Sequence, residues 1–523
     1  MDSNKLKTII FVVFAMFVAL YLGISAATAQ EETIIWVMGA LTFFTCILLG
    51  RKIWLLLPFL SALAIQFRLP GQPDTQLLGQ LLVLGFSTLL FLMRKLPWRL
   101  ALTEMEFWMI ILTLSVVQVY LRNPTGLNIF GGATVGGKPY ALFVVSLATT
   151  ILLSGLRPPV RELKWILPLS ILGGMGNLGI NLLGKVVPVV SYYCSGDYVD
   201  TRQANYENMN VVVDEKAATR VGFLSGLGNN LSLWIVTFIS PLKACFRPLW
   251  ALLILITVIS SLLGGFRNGV AAVGMTFLLG VAYRSGVSGL LFSLFGGAGA
   301  IVVLAVVNLV YPLPPNVQRS LSFLPGTWEQ RYEDDAEGSN EWRFEIWREA
   351  LLTDRWIQNK WLGDGLGFSA VELAAQINSR EDDRIGASGF ESHRESIMSN
   401  GDYHSGPVST IRTIGYVGLF FFLIGQIRLA VHAHRQIMRC QGSEWLPLAL
   451  FIGIPLIWGP AFFVFIFGSF RGGVSAFLIG AGMIRLLENN LPLPAYQPRG
   501  TREYRPLAVN RAMQQAPSSA GVR

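Results

Sequence analysis

What most constrains this chain is its division into apolar runs. Fourteen stretches of about 15 to 25 residues carry almost no charge, and a single long polar stretch, 312–405, interrupts them. A helical run of that length matches a hydrocarbon core ~30 Å thick, and backbone in lipid must bond to itself, so helix is the form such runs take. Composition agrees: the 523 residues are 52% hydrophobic and 14% charged, where an ordinary soluble domain is about 25% charged. The expectation is an all-α polytopic membrane protein of about 12 to 14 transmembrane helices with one large extracytoplasmic loop domain.

Charge orients the runs. Lys5 and Lys7 precede the first, Thr8 to Ile24. Ala27-Thr28-Ala29 before Gln30 has the pattern of a signal-peptidase site, but a retained helix is expected because the next span begins at Ile34. Arg51-Lys52, then Arg94-Lys95 with Arg99, then Arg157, Arg161 and Lys164 fall on the same side as the N-terminus, which places both termini in the cytoplasm. The net charge of +9 is spread in small groups between apolar runs, so it reads as topology and not as a nucleic-acid face. The polar stretch is the opposite: 17 acidic and 9 basic residues, a balance of −8, suit the far side of the membrane. The chain thus divides into helices and short loops over 1–311, an extracytoplasmic loop domain over 312–405, the last three spans over 406–487, and a cytoplasmic basic tail over 488–523 with Arg499, Arg502, Arg505 and Arg511.

Few residues can carry chemistry. His404, in Asp402-Tyr403-His404-Ser405-Gly406-Pro407, ends the polar stretch just before an apolar run, within reach of water and of a lipid-borne substrate; its ordinary pKa near ~6.5 suits proton transfer at neutral pH. Taken alone, it is an ordinary interface residue. Arg267 lies in a glycine-flanked loop, Gly264 to Gly269, where a planar guanidinium suits a diphosphate or anchors to headgroups. Glu341 to Leu352 reads as an amphipathic helix carrying Arg343, and Gly363-Asp364-Gly365-Leu366-Gly367 after it as a tight turn that admits close backbone approach. The clusters Glu333-Asp334-Asp335 and Glu381-Asp382-Asp383 lack the spacing of a calcium loop and read as solvated loop; His393 is a weaker acid–base candidate, and His432 and His434 read as headgroup contacts. Finally, Phe266 to Ala272 and Phe470 to Ala476 share the pattern Phe-Arg-x-Gly-Val-small-Ala, which makes Arg471 a second candidate for a diphosphate opposite Arg267.

At this point the sequence resembles the O-antigen ligase and O-antigen polymerase family of bacterial membrane glycosyltransferases. His404, Ser405, Gly415 and Gly418 meet the ligase motif in register at the end of the large loop. Arg267 is similar to the family's Ser-Arg loop, with Phe266 in place of serine, and Arg343, Trp347 and the Gly365–Gly367 turn are similar to its Arg-then-Trp helix and Gly-x-Gly turn. The resemblance covers roughly Leu249 to Ile427. It implies an undecaprenyl-diphosphate-linked oligosaccharide as donor and a glycan chain, lipid A core sugar or protein hydroxyl as acceptor. The reaction would be inverting, in the bacterial inner membrane, with no metal or other cofactor and no nucleic-acid partner. His404 would be the base, and Arg267, Arg343 and Arg471 would hold the diphosphate. Ligation and polymerisation stay open. So do two other classes, a transporter or flippase of lipid-linked glycan and a structural subunit of an export complex; the spans' scarcity of central charge favours the enzyme.

Overall fold

The computed structural model describes chiefly residues 31–67, 73–126, 136–187, 194–195, 221–324, 326–367, 397–398, 400–401 and 403–491. The first apolar run, His393, the second acidic cluster and the basic tail lie outside them. The described chain is mostly helical. The longer helices are α1 (Glu31–Leu49), α2 (Leu56–Leu63), α3 (Thr75–Leu92), α4 (Glu104–Arg122), α5 (Lys138–Gly155), α6 (Ile166–Val186), α7 (Gly222–Phe238), α8 (Pro248–Leu263), α9 (Arg267–Val310), α10 (Gln330–Leu352), α11 (Gly406–Arg439), α12 (Leu446–Phe465) and α13 (Phe470–Asn490). Among the described residues, strand is confined to Gln66–Phe67 paired antiparallel with Cys194–Ser195.

Among the described residues nine helical stretches are long and apolar enough to cross a membrane. The difference from fourteen has identifiable causes. The runs on either side of Arg51-Lys52 are joined by a 3-10 turn, Gly50–Leu55, into one stretch over Gly39–Leu63. Helices α7 and α8 have only 17 and 16 residues. The two runs on either side of Arg284, read from the sequence as separate spans, are two helices that follow one another across a break at Gly286 (φ 72°, ψ −168°), two residues past Arg284, and together make the stretch α9. Arg284, just before the break, is spent on a neighbour: its Nε donates to the Val236 carbonyl at 2.7 Å and its Nη2 to that of Thr237, closing carbonyls that the end of α7 leaves open.

Helix α11 is the axis of the bundle, packed on α12, α4 and α13, while α13 packs on α5 and α7 on α8, α9 and α12. Phe422 of α11 shows how tightly: it meets Phe463, Phe470 and Phe477 edge-on at 5.5 to 5.8 Å between centroids. At one end, charge locks three helices together. Arg485 donates to Glu106 at 3.0 Å and to Glu488 at 2.7 Å, His432 lies between Glu488 (2.7 Å) and Glu104 (3.3 Å), and Arg428 reaches the other oxygen of Glu104. This corrects the headgroup reading of both histidines: His432 is a member of that network, and His434 Nδ1 sits 2.7 Å from the Tyr283 hydroxyl. Glu104 and Glu106 stand in the first turn of α4, where the helix dipole favours carboxylates; their cationic partners stand further inside α11 and α13.

Candidate active site

The other end of the bundle is built around a break in α11. Gly415 takes φ 75° and ψ 178°, so the helix stops and restarts, leaving carbonyls before the break and N–H groups after it without helical partners. The glycine turn supplies them. Asp364 N donates to Arg412 O (2.8 Å) and Gly365 N to Thr413 O (3.1 Å), while Tyr416 N donates to Lys360 O (2.8 Å) and Val417 N to Trp361 O (3.3 Å). In hydrocarbon, irregular backbone is tolerated only when so satisfied. The glycines are required by contact: a Cβ on Gly415 would lie 2.1 Å from the Trp361 carbonyl oxygen, and one on Gly363 2.5 Å from that of Thr413. Gly418 sits one turn on, against the Ile414 side chain.

Side chains fix the turn from three directions. The Asp364 carboxylate accepts from the Gln358 and Asn359 N–H groups, each at 2.8 Å, and faces the buried Arg412 at 3.8 Å. Arg122 donates to the carbonyls of Leu362 (2.9 Å) and Gly363 (2.8 Å). Leu366 donates its N–H to the Tyr140 hydroxyl at 3.1 Å, and its carbonyl accepts from Arg471 Nη2 at 2.8 Å. Arg471 is therefore tied, through one of its donors, to the carbonyl between Gly365 and Gly367. Arg471→Ala is expected to loosen the turn by about 1.5 to 3 kcal/mol, the usual worth of a hydrogen bond from a charged donor. Hydrogen exchange at the Tyr416 and Val417 amides checks it: wild-type protection in the variant would remove Arg471 from the turn's support.

His404 stands nine residues before the main part of this joint. Its backbone lies in the left-handed region at φ 51°, uncommon for a residue with a side chain though less so for histidine. The half-buried ring packs between Trp342 (5.9 Å between centroids) and Phe467 (5.5 Å). Both neighbours of His404 are pinned. Trp347 Nε1 donates to the Tyr403 carbonyl at 2.8 Å, and burial pushes the Tyr403 phenol above its ordinary pKa. Ser405 caps α11 by accepting from Val408 N at 3.4 Å, with Pro407 in the first turn. Helix α10 thus rests on the start of α11 through Ile346, Trp347, Ala350, Tyr403, Val408 and Ile411.

Arg343 belongs to the same helix, between Trp342 and Trp347. The residue is half-buried; its Nε is enclosed with no hydrogen-bond partner among the described residues, and that burial lowers its pKa. Arg267 is the first residue of α9, half-buried, and the next two residues, Asn268 and Gly269, line a cavity of about 360 Å³ shared with α7 and α12. Phe462 lines that cavity too and lies five residues before Phe467, the ring against His404. The structure therefore joins the glycine turn, Gly415 and Arg471 in one assembly and His404 with the helix bearing Arg343 in another, with Arg267 beside a neighbouring cavity. Sequence reasoning missed Trp342 and Phe467 as walls for His404, and Tyr140, Arg122, Asp364 and Arg412 as supports of the turn; Arg412, a lone charge four residues into the apolar run that begins at Val408, was a usable signal for the last of these.

The chain matches none of the known family models and none of the curated proteins with which it was compared. Fold and site alone define a class: a helical protein with the spans of a membrane protein, in which one helix is broken at Gly415 and the break is closed by a glycine turn.

Proposed function

We propose that this protein transfers an oligosaccharide from undecaprenyl diphosphate to an acceptor hydroxyl, on a glycan, a lipid A core or a protein, at the extracytoplasmic face of the bacterial inner membrane, with both termini in the cytoplasm. The observation that carries the reading is His404: a histidine in a strained backbone conformation, its ring walled by Trp342 and Phe467, at the point where the polar segment re-enters the bundle. Strain of this kind persists where surroundings over-determine it, and such places cluster at functional sites. In the reaction, the acceptor oxygen bonds to the anomeric carbon from the face opposite the leaving group, and the bond from that carbon to the diphosphate oxygen breaks. The acceptor's proton passes to His404, and the electron pair leaves with the lipid diphosphate. Arg343, half-buried with its Nε enclosed, and Arg267 oppose the charge that grows there. The charges at the opposite end of the bundle are bonded to one another across three helices, as a structural tie is, and give transport no particular support.

The test is geometric as much as chemical. Lysine keeps the charge but not the two-pronged grip on phosphate, so Arg267→Lys and Arg343→Lys are each expected to lower kcat for glycan transfer about ten-fold or more at unchanged membrane abundance. Wild-type rates in both variants would show that neither guanidinium holds the leaving group.

A further inference from the structure

The transfer reading leaves unused the cavity between α7, α9 and α12. Its polar lining is Ser225, Asn229, Asn230, Asn268 and Thr276, its aromatic wall is Trp458 with Phe462, and among the described residues no charged side chain lines it. Asn229 and Asn230 stand two turns inside α7, in the otherwise apolar run Gly222–Phe238, where asparagine neither favours the helix nor suits lipid. Trp458 Nε1 is buried with no hydrogen-bond partner among the described residues, although a buried indole N–H ordinarily finds one. Asn268 uses its Oδ1 to accept from the Gly269 N–H at 2.9 Å, which leaves its NH2 group as a donor.

We propose that this cavity binds an uncharged sugar ring. Carboxamides and hydroxyls each offer both donors and acceptors, as sugar hydroxyls do, whereas a phosphate or carboxylate would call for a cation in the lining. The Trp458 and Phe462 rings, 5.0 Å apart between centroids and tilted by 62°, present an apolar surface of the kind the C–H face of a pyranose covers. The volume of about 360 Å³ lies within the range of small-molecule sites. Its position is apt: Asn268 follows Arg267, and Phe462 is joined by one short turn to Phe467, beside His404. The inference rests on the transfer reading for the source of the sugar, a glycan next to its lipid diphosphate, but not for binding itself.

The experiment is saturation-transfer NMR on the full chain, purified into nanodiscs without glycolipid, with methyl glucoside, methyl galactoside and N-acetylglucosamine as probes and glucuronate and inorganic diphosphate as charged comparisons. At least one uncharged sugar is expected to bind. Trp458→Phe, which keeps a ring and deletes the N–H, and Asn230→Leu are each expected to weaken it about ten-fold. His404→Ala should bind that sugar as wild type does while losing transfer. Binding without transfer in the wild-type protein would therefore sink the transfer reading and leave the sugar site standing. No binding of any uncharged sugar, a preference for the charged probes, or undiminished binding in both cavity variants, each checked to be monodisperse, would overturn the proposal.

Discussion

His404→Ala is expected to cut glycan transfer by about 10² to 10⁴-fold, the usual contribution of a general base, with membrane insertion and abundance near wild type. The ring packs on Trp342 and Phe467 but forms no part of the fully buried core, so its loss leaves the helix starts intact. His404→Gly separates chemistry from backbone. At φ 51° glycine relieves strain that any side chain incurs, so this variant should be at least as stable as His404→Ala and equally inactive. Transfer by His404→Gly at more than a tenth of the wild-type rate would mean that the residue serves the turn and not the reaction.

Gly415→Ala is expected to destabilise the protein by about 2 to 6 kcal/mol. Its φ of 75° and ψ of 178° lie in a region essentially confined to glycine, which costs a residue with a Cβ about 1 to 3 kcal/mol, and overpacking adds a further 1 to 3. The new Cβ would sit 2.1 Å from the Trp361 carbonyl oxygen, which cannot retreat without releasing the Val417 N–H it accepts. Opening the joint would free the turn that Arg412, Arg122 and Tyr140 otherwise hold, so transfer should fall with stability. Gly418→Ala should be milder, because its backbone is not at positive φ and its obstacle is the Ile414 side chain, not a carbonyl that holds the joint. Thermal unfolding in detergent measures both. Equal midpoints for the two variants would contradict the role given to the broken helix.

Hydropathy made the helical architecture legible, because a run such as Leu446 to Gly468 has few structures open to it in a membrane. It placed the break in α9 to within two residues, at Arg284 where the structure breaks at Gly286, but not what Arg284 itself does: its guanidinium goes to open carbonyls 47 and 48 residues earlier, which leave no trace in local pattern. Gly415 and Gly418 stood out through the family motif that the sequence resembles, and Gly363 and Gly365 by their cluster, yet nothing local says that the two glycine groups face each other. That pairing is a property of backbone hydrogen bonds between distant segments. His432 was misread for the same reason: its partners, Glu104 and Glu488, lie 328 and 56 residues away, and a histidine among arginines looks like an interface residue until the neighbouring helices are in place. Arg471 was singled out by an internal echo of the Arg267 loop, and the carbonyl it holds, that of Leu366, is invisible to such an echo.

The most direct test of the account is product analysis in proteoliposomes that contain the purified protein, a synthetic undecaprenyl-diphosphate oligosaccharide and a glycan acceptor. The account predicts free undecaprenyl diphosphate released one for one with new glycosidic bonds of inverted anomeric configuration, and neither product with His404→Ala. Recovery of the lipid-linked oligosaccharide intact from the wild-type reaction, whether in its original leaflet or moved to the other, would contradict it.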